Sequence, residues 1–244
     1  MKIPLVITSS LWHIGDLQNN TQGQRQSFEG NLLSASACPN AWMGIARLGG
    51  GKYYSLEHET FLLNLTEALH DDQYQHLRLV VEKWATEQRY IKQGTIYVVP
   101  YEDCEADEAD SLREMHFCNE EEALAEADGY GVEVEARSTP LATQLLLKLH
   151  GLSDDSASSG LEFAMIEWAR QNLQQSMVRG VYWDERLDEL ALSAPRAGLF
   201  SAQGLVERES LPDDEDCMQK VDFLTMERYA LGARRVSLDL EPGR

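Results

Sequence analysis

Two stretches of this chain carry more polar chemistry than a buried core requires, and the first is N-terminal. His13 and Gly15 directly follow an apolar run, and Ser34 and Ser36 stand two residues apart in a second short apolar segment. An imidazole can hydrogen-bond a sugar hydroxyl, and a glycine lets a ligand approach the backbone closely. Because residues two apart in an extended strand share a face, both hydroxyls are expected to point the same way.

The second stretch lies late in the chain and combines acids with aromatic rings. Asp184 and Glu185 directly follow Tyr182 and Trp183. Adjacent residues of a strand face opposite ways, so only one of the two acids enters a cleft. A carboxylate beside aromatic rings can bind sugar hydroxyls and offset positive charge that develops on an anomeric carbon. Arg196, a little further along, can hold a phosphate.

Each of these residues also has an ordinary structural interpretation. A histidine at a strand end can be a hydrogen-bonded core residue, serines there can be caps, and the acids and the arginine can be surface charges. The sequence contains no P-loop, no G-x-G-x-x-G, no H-E-x-x-H and no G-x-S-x-G. The glycine run at 49–51 is too short for a phosphate cradle and follows a helical pattern. We expect no metal site.

Hydrophobic periodicity predicts an α+β fold that presents these residues at strand ends. Apolar or alternating runs predict strands over 3–8, 31–37, 52–57, 95–101, 132–135, 180–183, 197–200 and 234–240. Apolar residues at helical spacing predict helices over 39–48, 120–128, 141–150 and 161–175, and a helical region over 58–92 in which Asp71 and Asp72 cap a second helix. The polar run at 153–160 is the best candidate for a linker.

The composition bounds the partners and the compartment. Of the 244 residues, 21 are Lys or Arg and 41 are Asp or Glu, which gives a net charge of −20. That charge disfavours broad binding to a phosphate backbone, because such binding depends on Lys and Arg. No apolar run is long enough for a transmembrane helix, so we expect no membrane association. The four cysteines lie far apart, and we expect reduced thiols and a cytoplasmic location.

The N-terminal pattern resembles the opening of the ADP-ribosyltransferase fold. Residues 11–15 (LWHIG) are similar to the pattern that ends that family's first strand. Residues 30–36 (GNLLSAS), followed by Pro39 and Trp42, are similar to its second strand, which carries small hydroxyl residues before a helix. The resemblance implies a split, twisted β-sheet core that grips NAD in a central cleft, with helices outside it.

The same resemblance implies one α+β domain over residues 1–244 and an NAD-consuming transferase. Such an enzyme cleaves the nicotinamide–ribose bond, and a bacterial toxin or a defence effector is one form that it takes. The late acidic strand of the family corresponds here to Val181–Glu185. The helical stretch around 58–93 is then a decoration that the core fold does not require.

The resemblance also implies a role for each candidate residue. His13 would contact the nicotinamide-side ribose, and Ser34 and Ser36 would form the floor of the nicotinamide pocket. Glu185 or, failing it, Asp184 would be the acid that orients the ribose and stabilises the oxocarbenium-like transition state. The remaining candidates for contact with NAD are Gly15, Tyr182 and Arg196.

A different class of function stays open. Acidic residues cluster at 102–110, 120–128 and 213–216. Such clusters are typical of solvated surfaces, and they are also typical of proteins that bind a basic partner. The alternative to an enzyme is therefore a non-catalytic acidic interaction protein, such as an immunity or adaptor protein or a mimic of nucleic acid.

Overall fold

The computed structural model of this protein has a mixed α+β fold. It describes residues 1–17, 30–46, 48, 50–102, 112–173, 177–184, 194–212, 221–222, 227–228 and 234–239. Its contacts divide the chain into two compact units, Met1–Val81 with Met165–Arg244, and Glu82–Ala164. Within the described ranges, no helix is both long enough and apolar enough to cross a membrane.

The described residues form fourteen strands and six α-helices. The strands are β1 (Lys2–Thr8), β2 (Trp12–Ile14), β3 (Leu33–Ser36), β4 (Tyr53–Leu56), β5 (Thr60–Asn64), β6 (Ile91–Glu102), β7 (Leu112–Phe117), β8 (Glu135–Ala142), β9 (Val178–Trp183), β10 (Arg196–Leu199), β11 (Leu205–Arg208), β12 (Val221–Asp222), β13 (Glu227–Arg228) and β14 (Arg234–Asp239). The helices are α1 (Pro39–Ile45), α2 (Leu65–His70), α3 (Gln75–Glu87), α4 (Glu120–Tyr130), α5 (Gln144–His150) and α6 (Gly160–Asn172).

The first unit contains a nine-stranded sheet in the order β11-β4-β2-β3-β10-β9-β5-β1-β14. Neighbouring strands are antiparallel except for β5 and β9, which are parallel. One core cluster joins residues from β1, β3, β5, β9 and β10, including Leu33, Leu62 and Tyr182. The strands predicted over 3–8, 31–37, 52–57, 180–183, 197–200 and 234–240 are confirmed within a few residues.

The second unit contains the three-stranded antiparallel sheet β7-β6-β8. Helix α4 packs on it through Ala123 and Ala127, which meet Val99 in a small apolar cluster. The helix begins where the Asn119 side chain accepts a hydrogen bond from the Glu121 N–H, and it ends at Gly131 with a φ of 67°. Both ends therefore follow ordinary capping rules, which is why the helix was predictable at 120–128.

The prediction of a helical region over 58–92 is wrong for residues 60–64 and for residues 91–92, which begin β6. Residues 60–64 form β5, which lies inside the nine-stranded sheet between β9 and β1. Asn64 then turns the strand into α2, because its side chain accepts a hydrogen bond from the Glu67 N–H at 3.1 Å. A short apolar run fits helical and strand spacing equally well, so Phe61 and Leu62 were assigned to the wrong element.

Two other segments differ from their predictions. Residues 132–134 precede the strand that was expected there, and only Glu135 belongs to β8. The candidate linker at 153–160 contains a 3-10 helix, Asp154–Ser159, that runs directly into α6. The chain passes from the second unit back to the first between residues 164 and 165, which is inside α6.

Candidate functional site

The sheet order brings the sequence patches onto neighbouring strands. His13 lies on β2, Ser34 and Ser36 on β3, Arg196 at the start of β10 and Tyr182 on β9. These four strands are adjacent in the sheet. They span three strand spacings, or about 14 Å from β2 to β9. Patches that are far apart in sequence therefore lie within four neighbouring strands of one sheet.

The pairing register separates these residues between the two faces of the sheet. Directly paired residues of antiparallel strands share a face, and one such row crosses five strands as Trp183, Arg196, Ser36, Trp12 and Ser55. The next row, which includes Tyr182, Ala197 and Ala35, faces the core. His13 follows Trp12 on β2 and so projects to the opposite face from the Ser36 hydroxyl.

His13 is held in one tautomer by a backbone carbonyl. It is 3% exposed, and its Nδ1 lies 2.6 Å from the carbonyl oxygen of Ser34. Because a carbonyl only accepts hydrogen bonds, Nδ1 carries the proton. Burial lowers the pKa of His13, against the opposing effects of the backbone of Ser34 and Asp16 and of the Asp16 charge. The ring is therefore neutral near pH 7, and Nε2 presents a lone pair.

The Nε2 atom of His13 lies close to Gly15, which packs against Gly51. Nε2 is buried and makes no hydrogen bond of good geometry to a described residue, and the backbone of Asp16 also acts on the ring and raises its pKa. A Cβ placed on Gly15, whose φ is 128°, would lie 3.8 Å from Nε2 and, apart from its chain neighbours, within 4 Å of no other described atom. A Cβ on Gly51 would lie 3.3 Å from the Cα of Gly15. The absence of a side chain at Gly15 keeps bulk away from Nε2, and Gly51 packs against the backbone of Gly15.

Tyr54 and Lys52 lie beside His13 and Gly15. Tyr54 pairs with His13 across β2 and β4, and their ring centroids are 6.0 Å apart. The Gly15 N–H donates to the Lys52 carbonyl oxygen at 2.9 Å. The Lys52 ammonium forms an exposed ion pair with Glu207 at 3.2 Å, and hydrogen bonding to Glu207 raises the pKa of this lysine.

The two serine hydroxyls hold the backbone of the first unit together. Ser34 Oγ accepts a hydrogen bond from the Trp42 indole N–H at 3.1 Å, which ties α1 to β3. Ser36 Oγ donates to the Pro195 carbonyl oxygen at 2.6 Å and accepts from the Cys38 N–H at 3.0 Å. Ser36 is fully buried and its only hydroxyl proton is used. Its geometry is that of a structural residue.

The described late acid belongs to a separate ion cluster. The backbone N–H of Asp184 donates to Thr66 Oγ1 at 2.9 Å, and its carboxylate binds the Arg235 guanidinium. The same arginine lies 3.3 Å from Glu67. Burial raises the pKa of Glu67, Arg235 opposes this, and Asp184 adds to it. Asp184 is thus neutralised by an arginine, three strands away from His13, and Glu185 lies outside the described residues.

Tyr182 and Arg196 also receive definite places. Tyr182 is 1% exposed and belongs to the core cluster of the sheet. Arg196 stacks on Trp183, with its guanidinium carbon 4.4 Å from the ring centroid. The arginine therefore shares a face with Ser36 and lies on the other side of the sheet from Tyr182.

Sequence reasoning did not assign functions to Gly51, Tyr54 or Trp42. The glycine run at 49–51 was considered only as a phosphate cradle, whereas Gly51 packs against the backbone of Gly15. The two tyrosines that follow this run, Tyr53 and Tyr54, were the available signal. Successive side chains of a strand point to opposite faces, so only Tyr54 shares a face with its partner His13.

Comparisons with models of known protein families, with curated protein sequences and with solved structures returned no match. Among the residues that the structure describes, no group of three or more His, Cys, Asp or Glu side chains could hold a metal ion.

Proposed function

We propose that this protein is an ADP-ribosyltransferase-like enzyme that binds NAD at His13 and cleaves its nicotinamide–ribose bond. One observation carries the proposal. The lone pair of His13 Nε2 is buried, forms no hydrogen bond of good geometry to a described residue, and lies beside Gly15, which has no side chain. A buried acceptor without a donor is costly. A hydroxyl of the nicotinamide-side ribose supplies that donor.

The reaction asks little of the protein beyond positioning and charge. The bond between ribose C1′ and the nicotinamide nitrogen breaks, and its electron pair leaves with nicotinamide. Positive charge develops on the sugar, and a carboxylate stabilises it. An acceptor then forms the new bond to C1′ and passes its proton to that carboxylate. The proposed enzyme therefore needs one histidine, one acid and an acceptor.

Of the two candidate acids, Glu185 suits this role better. Asp184 is bound to Arg235 and lies next to Glu67, so its charge is already compensated. β9 ends at Trp183, and Glu185 follows it in sequence directly after Asp184. The proposal therefore assigns stabilisation of the sugar cation to Glu185 and a structural role to Asp184.

Nicotinamide release from NAD tests this assignment. The purified full chain is incubated with NAD, and free nicotinamide is measured alongside transfer of labelled ADP-ribose to protein or nucleic acid. We expect Glu185→Gln to lower turnover by about 10²–10³-fold, and His13→Phe to raise the Kd for NAD. Glu209→Gln removes one exposed carboxylate elsewhere in the first unit and should change neither.

Binding is measured separately by thermal unfolding. At a ligand concentration about one hundred times the Kd, NAD should stabilise the protein by about 2.7 kcal/mol. The proposal is wrong if the wild-type chain is neither stabilised by NAD nor releases nicotinamide. It is also wrong if both variants, folded by circular dichroism, retain full turnover.

A further inference from the structure

A groove in the second unit has an apolar floor and an acidic rim. Its volume is about 490 Å³, and it lies between α4 and the segment that leads into β8. Leu124, Val132 and Val134 line it together with Tyr97 of β6. Glu120, Asp128 and Glu133 stand at its edges. All of these residues belong to the second unit.

The apolar floor is exposed to solvent. Leu124 is 54% exposed although the same helix buries Ala123 and Ala127. Val132, Val134 and Tyr97 are only half-buried and adjoin the cluster beneath α4. A single exposed leucine is unremarkable on a surface, but a concave group of apolar side chains rimmed by polar ones is typical of an interaction site.

The rim has negative charge without compensation from the described residues. The carboxylates of Glu120, Asp128 and Glu133 form no ion pair or hydrogen bond within the described part of the chain. Residues 118–136 contain seven acids and no Lys, Arg or His. Asp128 also lies near the C-terminus of α4, where the helix dipole is negative and no basic side chain is present.

We propose that this groove docks a short cationic amphipathic segment of a partner protein. Its apolar side chains would cover Leu124 and the two valines, and its Lys or Arg side chains would pair with Asp128 and Glu133. Charge complementarity selects this occupant. Nucleic acids and anionic membranes are repelled by the rim. A second copy of the chain carries a net charge of −20, which opposes self-association there.

Two synthetic peptides test the proposal on the full-length protein. Both have about 14 residues and the same lysines, and one has leucines on a single helical face where the other has serines. Fluorescence anisotropy measures binding at about 50 and 300 mM salt. We expect the leucine peptide to bind at least about tenfold more tightly than the serine peptide at either salt concentration, because only it covers the apolar floor.

Four variants localise the binding. Leu124→Ser should weaken binding of the leucine peptide about tenfold, and Asp128→Asn and Glu133→Gln should each weaken it about threefold to tenfold. Glu126→Gln is the matched control, because this exposed acid of α4 carries the same charge and does not line the groove. Leucine and valine methyl NMR should show the largest shifts at Leu124, Val132 and Val134.

Four results would overturn the proposal. Equal binding of the two peptides would mean that only overall charge matters. Equal losses from Glu126→Gln and Glu133→Gln would remove the groove from the interaction. Absence of binding by the leucine peptide, or methyl shifts confined to residues outside the groove, would show that this surface does not receive such a segment.

Discussion

The Nδ1 of His13 donates its proton to the Ser34 carbonyl oxygen across β2 and β3, at a distance of 2.6 Å. This contact links the two N-terminal patches through the His13 ring and the Ser34 backbone, and the Ser34 hydroxyl takes no part in it. It also decides the chemistry of the other ring nitrogen, because Nε2 must then be an acceptor in the neutral ring. A ligand at this position must offer a donor.

Low pH should lower the free energy of unfolding through the protonation of His13. Burial lowers the pKa of His13 below its ordinary value of 6.5. As the pH falls below about 6.5, the unfolded chain binds a proton that the folded chain resists, so the free energy of unfolding decreases. The effect is at most about 1.4 kcal/mol per pH unit for one group. Urea unfolding of wild type and His13→Phe between about pH 5 and 7.5 should show the shallower dependence in the variant.

Protonation of His13 should also weaken the binding of NAD. A protonated ring turns Nε2 into a donor, which no longer accepts from a ribose hydroxyl. The Kd for NAD should therefore rise as the pH falls through the lowered pKa of His13. A Kd that is independent of pH in the folded wild type would contradict the assigned tautomer. His116→Phe serves as the control, since His116 lies in the second unit.

Gly15→Ala should place a methyl group against the His13 ring and strain the local backbone. The φ of Gly15 is 128°, a region that residues with a Cβ rarely adopt. We expect a loss of about 1–3 kcal/mol in the free energy of unfolding, and a weaker response to NAD in thermal unfolding. Gly129→Ala provides the comparison, because a Cβ there meets no atom within 4 Å and the site is helical. That variant should be neutral or slightly stabilising.

Arg235→Gln should destabilise the first unit in a manner that depends on pH. It leaves the carboxylates of Asp184 and Glu67 without their shared partner. The expected loss at neutral pH is about 1–3 kcal/mol, because hydrogen bonds to charged groups are removed. Without Arg235 the pKa of Glu67 should rise further, since burial and Asp184 already raise it.

Lower pH should therefore reduce the damage done by Arg235→Gln. Protonation of Glu67 removes the repulsion, so the difference from wild type should shrink between about pH 7 and 5. The double variant Arg235→Gln with Glu67→Gln should recover part of the stability at neutral pH. A deficit that is the same at both pH values would mean that the guanidinium acts only through packing.

Ser36→Ala should cost stability without changing the surface. The variant leaves the Pro195 carbonyl and the Cys38 N–H without their partner in a fully buried place. An unsatisfied buried group costs about 1–3 kcal/mol. Chemical denaturation should show this loss, whereas Ser138→Ala, an exposed site on β8, should be nearly silent. If Ser36→Ala were silent too, the hydroxyl would not be the link between β3 and the segment before β10.

Most of the elements were predictable from local patterns, and their exceptions have physical causes. The apolar runs that became β1 and β9 are too short for helices and carry β-branched residues, which indicates strands. The sequence pattern predicts a helix where β5 lies, because Phe61, Leu62, Leu65 and Leu69 follow helical spacing across the junction of a strand and a helix. Hydrophobic periodicity does not reveal where the strand ends and the helix begins, because only one residue, Asn64, marks the junction.

The candidate site was predictable only in part. His13 and Gly15 stood out because of their types and their position after a strand, but the proton on Nδ1 depends on Ser34, which lies 21 residues away in sequence. The capture of Asp184 by Arg235 joins residues 51 positions apart. Nothing in the local sequence of either residue encodes such a pairing, because the register of distant strands determines it.

The parallel pairing of β5 with β9 has a consequence for biosynthesis. β5 ends at Asn64 and its partner begins at Val178, so roughly 114 residues must be synthesised between them. At about 5–20 residues per second, the ribosome needs on the order of 6–23 seconds for this interval. Throughout it, one edge of β5 lacks its native neighbour and presents unpaired backbone groups beside apolar side chains. Truncated or stalled chains that end before β9 should therefore be much more prone to aggregation than the finished protein.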